Sequence, residues 1–257
     1  MGDNGIVPYA FLNHKVEIGV SHMNILAIDT SNQVLGLALI QEQKVIAEYV
    51  TNSEKNHSVR LMPAVTRLME DVQMSPEQLD KIVVAKGPGS YTGVRIGLTT
   101  AKTMAWSLDI PVVGVSSLEV LAAQADMKDT LVCPFFDARR GLVFTGLYKM
   151  KDGRLENIQE DQNILLTEWL DMLKEIDSSV LFISPDADKH KELITDQLGA
   201  QAQFISQSKQ LPSPVQLAFL GLDRDADDVH QLQPSYLRLV EAEAKWLAKQ
   251  KDLNKNG

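Results

Sequence analysis

Ile25-Leu-Ala-Ile-Asp29, followed by Gly36-Leu-Ala-Leu39, is echoed in the second half of the chain by Val132-Cys-Pro-Phe-Phe-Asp137, followed by Gly141-Leu-Val-Phe144. Each copy is a short apolar run ending in Asp, then a glycine that opens a second apolar run. That is the pattern of a strand that turns back on itself. In the first copy the spacing predicts strands over Ile25–Ile28, Val34–Ile40 and Val45–Val50, then a helix over Ser58–Gln73 with Pro63 early in it. Pro63 implies that this helix starts near Met62 or kinks in its first turn.

The pattern continues with Ser75-Pro-Glu-Gln78 as a capping box, a strand at Ile82-Val-Val-Ala85, a helix, a strand at Val112–Val115 and a helix opened by Ser116 with Glu119. The second half repeats the order. Strands over Leu131–Phe136 and Leu142–Tyr148 lead through a turn at Asp152-Gly153 to a third strand. A helix around Trp169, a strand at Val180–Ile183 and a helix over Asp186–Leu198 follow, then a loop at Pro212 and Pro214, a short helix over Leu217–Leu220 and a last helix over Glu241–Lys249. Two similar halves, each a hairpin joined to strand–helix units, predict an α/β fold of the actin-like, hexokinase-like (ASKHA) type. Each lobe has a mixed sheet opened by antiparallel strands and flanked by helices. The expected division is an upstream extension over 1–22, a first lobe over 23–125 with the helix 234–250 packing back on it, and a second, degenerate lobe over 126–233.

Between the Ile82 strand and its helix lies Lys86-Gly-Pro-Gly-Ser-Tyr-Thr-Gly-Val-Arg-Ile-Gly-Leu98. Gly87, Gly89 and Gly93 permit backbone angles that a Cβ resists, and Ser90 or Thr92 can cap the helix. The segment carries neither a Gly-Lys-Ser/Thr P-loop nor a dinucleotide fingerprint. In the helix over Val94–Ser107, Gly93, Gly97, Ala101 and Ala105 recur every four residues and leave one face almost bare. That face admits two packings, against the chain's own sheet or against a helix of another protein.

Composition narrows the function. A net charge of −9 argues against this chain alone gripping a nucleic acid. The single Cys133 excludes an internal disulfide and a cysteine metal cluster, as a reducing cytoplasm would lead one to expect. No apolar run reaches the length that crosses a bilayer, so no membrane association is expected.

Ile25-Leu-Ala-Ile-Asp-Thr-Ser31, His57-Ser58 with Pro63, the Lys86–Gly97 segment, Phe136-Asp-Ala-Arg-Arg-Gly-Leu-Val-Phe-Thr-Gly-Leu-Tyr148 and Pro234-Ser-Tyr-Leu-Arg238 together resemble the TsaB (YeaZ) family. The resemblance spans Met23 to the last helix. It implies a non-catalytic bacterial subunit of the machinery that threonylcarbamoylates adenosine 37 of tRNAs reading codons that begin with A. It implies TsaD, the catalytic paralogue, as heterodimer partner, TsaE as a partner of that pair, tRNA contact only within the complex, and a homodimer when TsaD is absent. The interface expected on this basis comprises Val59, Met62, Val65 and Met69 on one helix and Gly93, Gly97, Ala101 and Ala105 on the next.

Other chemistries find little in the residues. The histidines, His14, His22, His57, His190 and His230, offer no pair at helical spacing for a metal, so no metal site is expected. No Gly-x-Ser-x-Gly elbow supports a hydrolase triad. Asp29, Thr30, Ser31, Gly87, Gly89 and Ser90 form at most a vestigial nucleotide site, because Asp137 is followed by Ala138-Arg139-Arg140 rather than glycines and Ile183–Asp188 lacks a Gly-Gly pair. No cofactor is therefore expected. A nucleotide-dependent ATPase or kinase using Asp29 and the Gly87–Gly93 turn is the alternative. Arg139 and Arg140 suit ion pairs across the lobe interface or side-chain contact with a phosphate. Asp223–Asp228 reads as a solvated loop or helix end.

Overall fold

The computed structural model describes residues 23–53, 56–125, 129–151 and 154–237, with Arg154 described in its backbone alone. The upstream extension, the Asp152-Gly153 turn and the helix expected over Glu241–Lys249 lie outside the described residues.

Sheet one holds β1 (Asn24–Asp29), β2 (Val34–Gln41), β3 (Lys44–Asn52), β4 (Lys81–Ala85) and β5 (Val112–Val115) in the order β3-β2-β1-β4-β5. β1 pairs antiparallel with β2 and parallel with β4, so the hairpin and the strand–helix units meet at β1. Sheet two repeats the plan with β6 (Leu131–Asp137), β7 (Leu142–Lys151), β8 (Arg154–Leu165), β9 (Val180–Ile183) and β10 (Ala202–Phe204), ordered β10-β9-β6-β7-β8. Asp29 pairs opposite Gly36 and Asp137 opposite Val143, so each copy's aspartate closes its first strand at the hairpin. This is the actin-like architecture that the repeat predicts. The three-residue β10 escaped the periodicity because Ala202-Gln-Phe204 is too short to alternate.

Helices α1 (His57–Asp71) and α2 (Tyr91–Leu108) cover one face of sheet one. α1 starts at His57, ahead of Pro63, because Asn56 Oδ1 accepts from Ser58 N (3.0 Å) and fixes the entry. Pro63 is absorbed inside the helix on its exposed side. α3 (Ser117–Ala122) follows β5, and α4 (Leu166–Lys174) and α5 (Ala187–Leu198) serve sheet two.

α6 (Pro214–Leu222) changes the expected division of the chain. It begins at Pro214, whose missing N–H costs nothing at a first helical position, with Ser213 Oγ accepting from Gln216 N (3.3 Å). Its apolar side leaves sheet two and packs on the second face of sheet one, where Leu217 and Ala218 join Ile25, Ala27, Val83 and Val113. Gly36 and Gly221 allow the approach: a Cβ at Gly36 would stand 3.3 Å from the Pro214 ring, and one at Gly221 2.4 Å from Val83. Sheet one, buried on both faces, needs this second cover. Residues 214–222 thus belong with the first lobe.

The run Asp223–Asp228 continues from the end of α6 with Asp223, Asp225, Ala226 and Asp228 exposed, as a helix end or solvated loop would be, and it is tied to that lobe at a few points. Lys81 Nζ donates to the Leu222 carbonyl (2.7 Å) at the end of α6, the Gly114 amide donates to Asp227 Oδ2 (2.8 Å), and Arg224 pairs with Glu119. The lobes meet through Leu118, Leu121 and Ala122 of α3 against Val132, Phe136, Leu181 and Ile183. Asp161 on β8 clasps them, accepting from Ser116 Oγ and Tyr148 Oη. Burial pushes the Asp161 carboxyl above its ordinary value.

Candidate functional site

The β1–β2 turn and the start of α2 are folded into one another. Asp29 is 2% exposed, and its Oδ1 accepts from Ser31 N (2.8 Å) and Ser31 Oγ (2.7 Å), while Oδ2 has no hydrogen-bond partner. Burial raises its pKa against the lowering by those bonds and by His57. Thr30 Oγ1 donates to the Gly93 carbonyl (2.7 Å), and Ser90 N donates to the Ser31 carbonyl (2.6 Å). Ser90 caps α2, its Oγ accepting from Gly93 N (3.2 Å).

The glycines are explained by this contact. A Cβ on Gly89 would lie 2.0 Å from the Ser31 carbonyl oxygen, one on Gly93 2.2 Å from that of Thr30, and one on Gly97 2.3 Å from Thr30 Oγ1. Ala101 and Ala105, 0% and 1% exposed, extend the same buried side. The small-residue stripe therefore packs on the chain's own sheet one and the β1–β2 turn. This corrects its reading as an exposed docking face: Gly93, Gly97, Ala101 and Ala105 are consumed inside the lobe.

The apolar residues of α1 divide similarly. Val65 (2%) and Met69 (4%) point into the core with Leu61 and Leu68, whereas Val59 (68%) and Met62 (46%) stand in solvent. Their shared three- and four-residue spacing concealed a split, because Leu61, Ala64 and Leu68 define a competing inward face. Of the expected interface residues, Val59 and Met62 alone are exposed large hydrophobics. α2 adds Trp106, 68% exposed, which the sequence reading missed although it falls one residue off the buried stripe.

Of the residues expected to hold a nucleotide, Ser90 alone borders the hollow at the start of α2. That hollow, of about 330 Å³, takes in Asn32, His57, Ser90, Thr92 and Gly93, but leaves out Asp29, Thr30, Ser31, Gly87 and Gly89. Gly87 is covered from both sides, its carbonyl accepting from Ser117 N (3.0 Å) and a Cβ on it meeting the Ser235 carbonyl oxygen at 3.1 Å. The chain after α6 runs over this turn: Ser235 N donates to the Lys86 carbonyl (2.7 Å) and Lys102 Nζ to that of Leu232 (2.8 Å). Tyr236 stacks on Tyr91 (5.3 Å), and Arg95 sits 3.9 Å above the Tyr91 ring. Asp29, Thr30 and Ser31 are buried and Gly87 and Gly89 are filled by the chain's own backbone, so these five offer a phosphate chain no open cradle, whereas Ser90 is exposed. Among the described residues no group of three or more His, Cys, Asp or Glu side chains converges as metal ligands, and no helix is long and apolar enough to cross a membrane.

In the second lobe the corresponding turn faces outward. Asp137 accepts from Arg139 N (3.0 Å) and has Lys189 Nζ at 3.6 Å and His190 Nε2 at 3.5 Å, while Arg139 and Arg140 are exposed. The arginines form no ion pair across the lobe interface among the described residues.

These features define a two-lobed protein of the actin-like class in which the turn that begins the repeat is sealed by its own helix. Comparison with known proteins places it more narrowly. Residues 44–246 match the family model described as TsaD: tRNA N6-adenosine threonylcarbamoyltransferase. The chain is 59% identical over 229 residues to the tRNA threonylcarbamoyladenosine biosynthesis protein TsaB of Bacillus subtilis, covering 89% of this chain and 100% of that protein. It is 32% identical to TsaB of Escherichia coli over 57% of this chain and 64% of that protein. The structure of YeaZ from Pseudomonas aeruginosa has the same fold, with a TM-score of 0.70 at 23% identity, covering 84% of this chain and all of that one. The chain belongs to the TsaB family of tRNA threonylcarbamoyladenosine biosynthesis proteins, within the reach of the threonylcarbamoyltransferase model.

Proposed function

We propose that this chain is a non-catalytic subunit of a tRNA threonylcarbamoyltransferase complex, acting in the cytoplasm by docking and activating a TsaD-type paralogue through the outer sides of α1 and α2. The observation that carries the reading is the exposure of Val59, Met62 and Trp106 on these two helices. Val59 and Trp106, each 68% exposed, are the most exposed of the large hydrophobics among the described residues, and apolar side chains left so open on two helices suit a second surface that covers them. A paralogue sharing the fold presents an equivalent helix pair, so a pseudo-twofold four-helix contact is the natural geometry, and a second copy of this chain can occupy the same face when the paralogue is absent. Coupling then runs through the interface: ordering the partner's cleft raises its activity without any bond being made by this chain. TsaE and tRNA join through the assembled pair, and the substrates are tRNAs reading codons that begin with A.

The enclosure of Asp29 and the filled glycine turn favour this reading over an ATPase or kinase. The test is reconstitution of tRNA threonylcarbamoylation with TsaD, with TsaE and with the enzyme that supplies the activated threonylcarbamoyl group, with and without this chain. Met62→Arg combined with Trp106→Ala is expected to weaken TsaD binding at least about tenfold, by loss of buried anchors, and to lower the modification rate in parallel. Magnesium-dependent ATP turnover by the chain alone would overturn the non-catalytic assignment.

A further inference from the structure

The Arg139-Arg140 turn has a chemistry that the fold does not ask for. It joins β6 to β7 at the end of sheet two where Asp137 closes its strand, and Leu142 N donates to the Arg139 carbonyl (3.1 Å) to shut it. Arg139 and Arg140 adopt φ of +65° and +56°, followed by Gly141 at +77°. Two successive left-handed residues in a tight hairpin call for Asn-Gly or Gly-Gly, and any other residue with a Cβ there carries strain. Nothing among the described residues repays it through the guanidinium groups. Both side chains are exposed, neither has an ion pair or side-chain hydrogen bond among the described residues, and the neighbouring carboxylates are engaged elsewhere. Lys189 Nζ reaches Asp186 Oδ1 at 2.6 Å and Asp137 Oδ2 at 3.6 Å, and Asp137 also receives the Arg139 amide.

A hydrogen-bonded turn thus presents two unneutralised guanidiniums side by side on a chain whose net charge is −9. Guanidinium is the group that takes phosphate oxygens bidentately, and neighbouring phosphates in a nucleic-acid backbone are spaced for two such groups. An otherwise acidic surface confines favourable contact with a polyanion to a few such places. We propose that Arg139 and Arg140 contact the ribose-phosphate backbone of the transfer RNA when it sits on the assembled complex, orienting it rather than reading its sequence. This rests on the docking function proposed above.

The experiment uses the full chain with its TsaD partner and an unmodified tRNA transcript. Arg139→Asn combined with Arg140→Gly keeps the turn, and Arg139→Lys combined with Arg140→Lys keeps the charge. Binding of the transcript to the complex is measured over a range of salt concentrations, alongside the affinity of each variant for TsaD. The Asn-Gly variant is expected to bind TsaD as the wild type does, to hold the transcript several-fold more weakly, and to lose about one to two units of the slope of log affinity against log salt. The Lys-Lys variant is expected to retain most of the slope. An unchanged transcript affinity and slope in the Asn-Gly variant overturns the proposal. So does a loss confined to TsaD affinity, which would assign the arginines to partner carboxylates. Failure of the wild-type chain to assemble with TsaD would instead sink the docking reading, and this contact with it.

Discussion

The two hairpin turns that close β1 and β6 occupy the same place in the repeat and are used in opposite senses. In the first lobe Thr30 and Ser31 sink onto Gly89, Gly93 and Gly97, so the turn becomes part of the core and its aspartate is shut away. In the second lobe the facing helix α5 offers His190 and Lys189 where α2 offers glycines. Both lie within 3.6 Å of the Asp137 carboxylate, and Arg139 and Arg140 stay outside. Glycines on the neighbouring helix admit the first turn into the core, whereas charged side chains on α5 meet the second at the surface.

The largest effect expected from that comparison is at Gly97. Gly97→Leu drives a side chain into Thr30 and β1, and is expected to cost at least about 3 kcal/mol, seen as a large fall in thermal midpoint with TsaD binding lost only because the lobe is lost. A folded, stable Gly97→Leu protein that had lost TsaD binding alone would restore the small-residue stripe as a docking face.

Asp29→Asn probes the closed turn electrostatically. Burial holds the Asp29 carboxyl above its ordinary value of 3.8 in the folded protein, so its contribution is most favourable in acid and declines as pH rises from that value through the raised one. Asn keeps an acceptor for Ser31 and removes the decline. The variant is expected to gain stability relative to the wild type as pH increases across this window, read from denaturant midpoints at several pH values. A difference that shrinks with rising pH would contradict the enclosure.

The smallest effect belongs to the open turn. Arg139→Asn with Arg140→Gly is expected to stabilise the isolated chain by about 1 kcal/mol, because the left-handed backbone is relieved and no internal contact is given up. A destabilised variant would mean that the arginines hold the second lobe together after all.

Much of the architecture was legible because both halves obey simple periodicities: Ile25–Asp29 and Val132–Asp137 read as strands, and Ser90 and Ser116 mark true helix starts. The site was less legible, for a specific reason. Small residues at four-residue spacing signal close backbone approach but carry no information about whose backbone approaches. Gly97 meets Thr30 of its own chain, and the exposed Trp106 was passed over because a lone aromatic has no period. The return of α6 to sheet one was hidden as well, since Leu217 and Ala218 are apolar whichever sheet they cover. The clasp by Asp161 depends on a strand from one lobe meeting a helix cap from the other, which no local pattern announces.

Hydroxyl-radical footprinting of the chain alone and bound to TsaD tests the central claim most directly, since Met62 and Trp106 are exposed and oxidisable whereas Met69 and Trp169 are buried in the free protein. The account predicts that Met62 and Trp106 lose their reactivity on binding while Met69 and Trp169 remain unreactive throughout. Met62 and Trp106 staying fully reactive in the bound complex would contradict it.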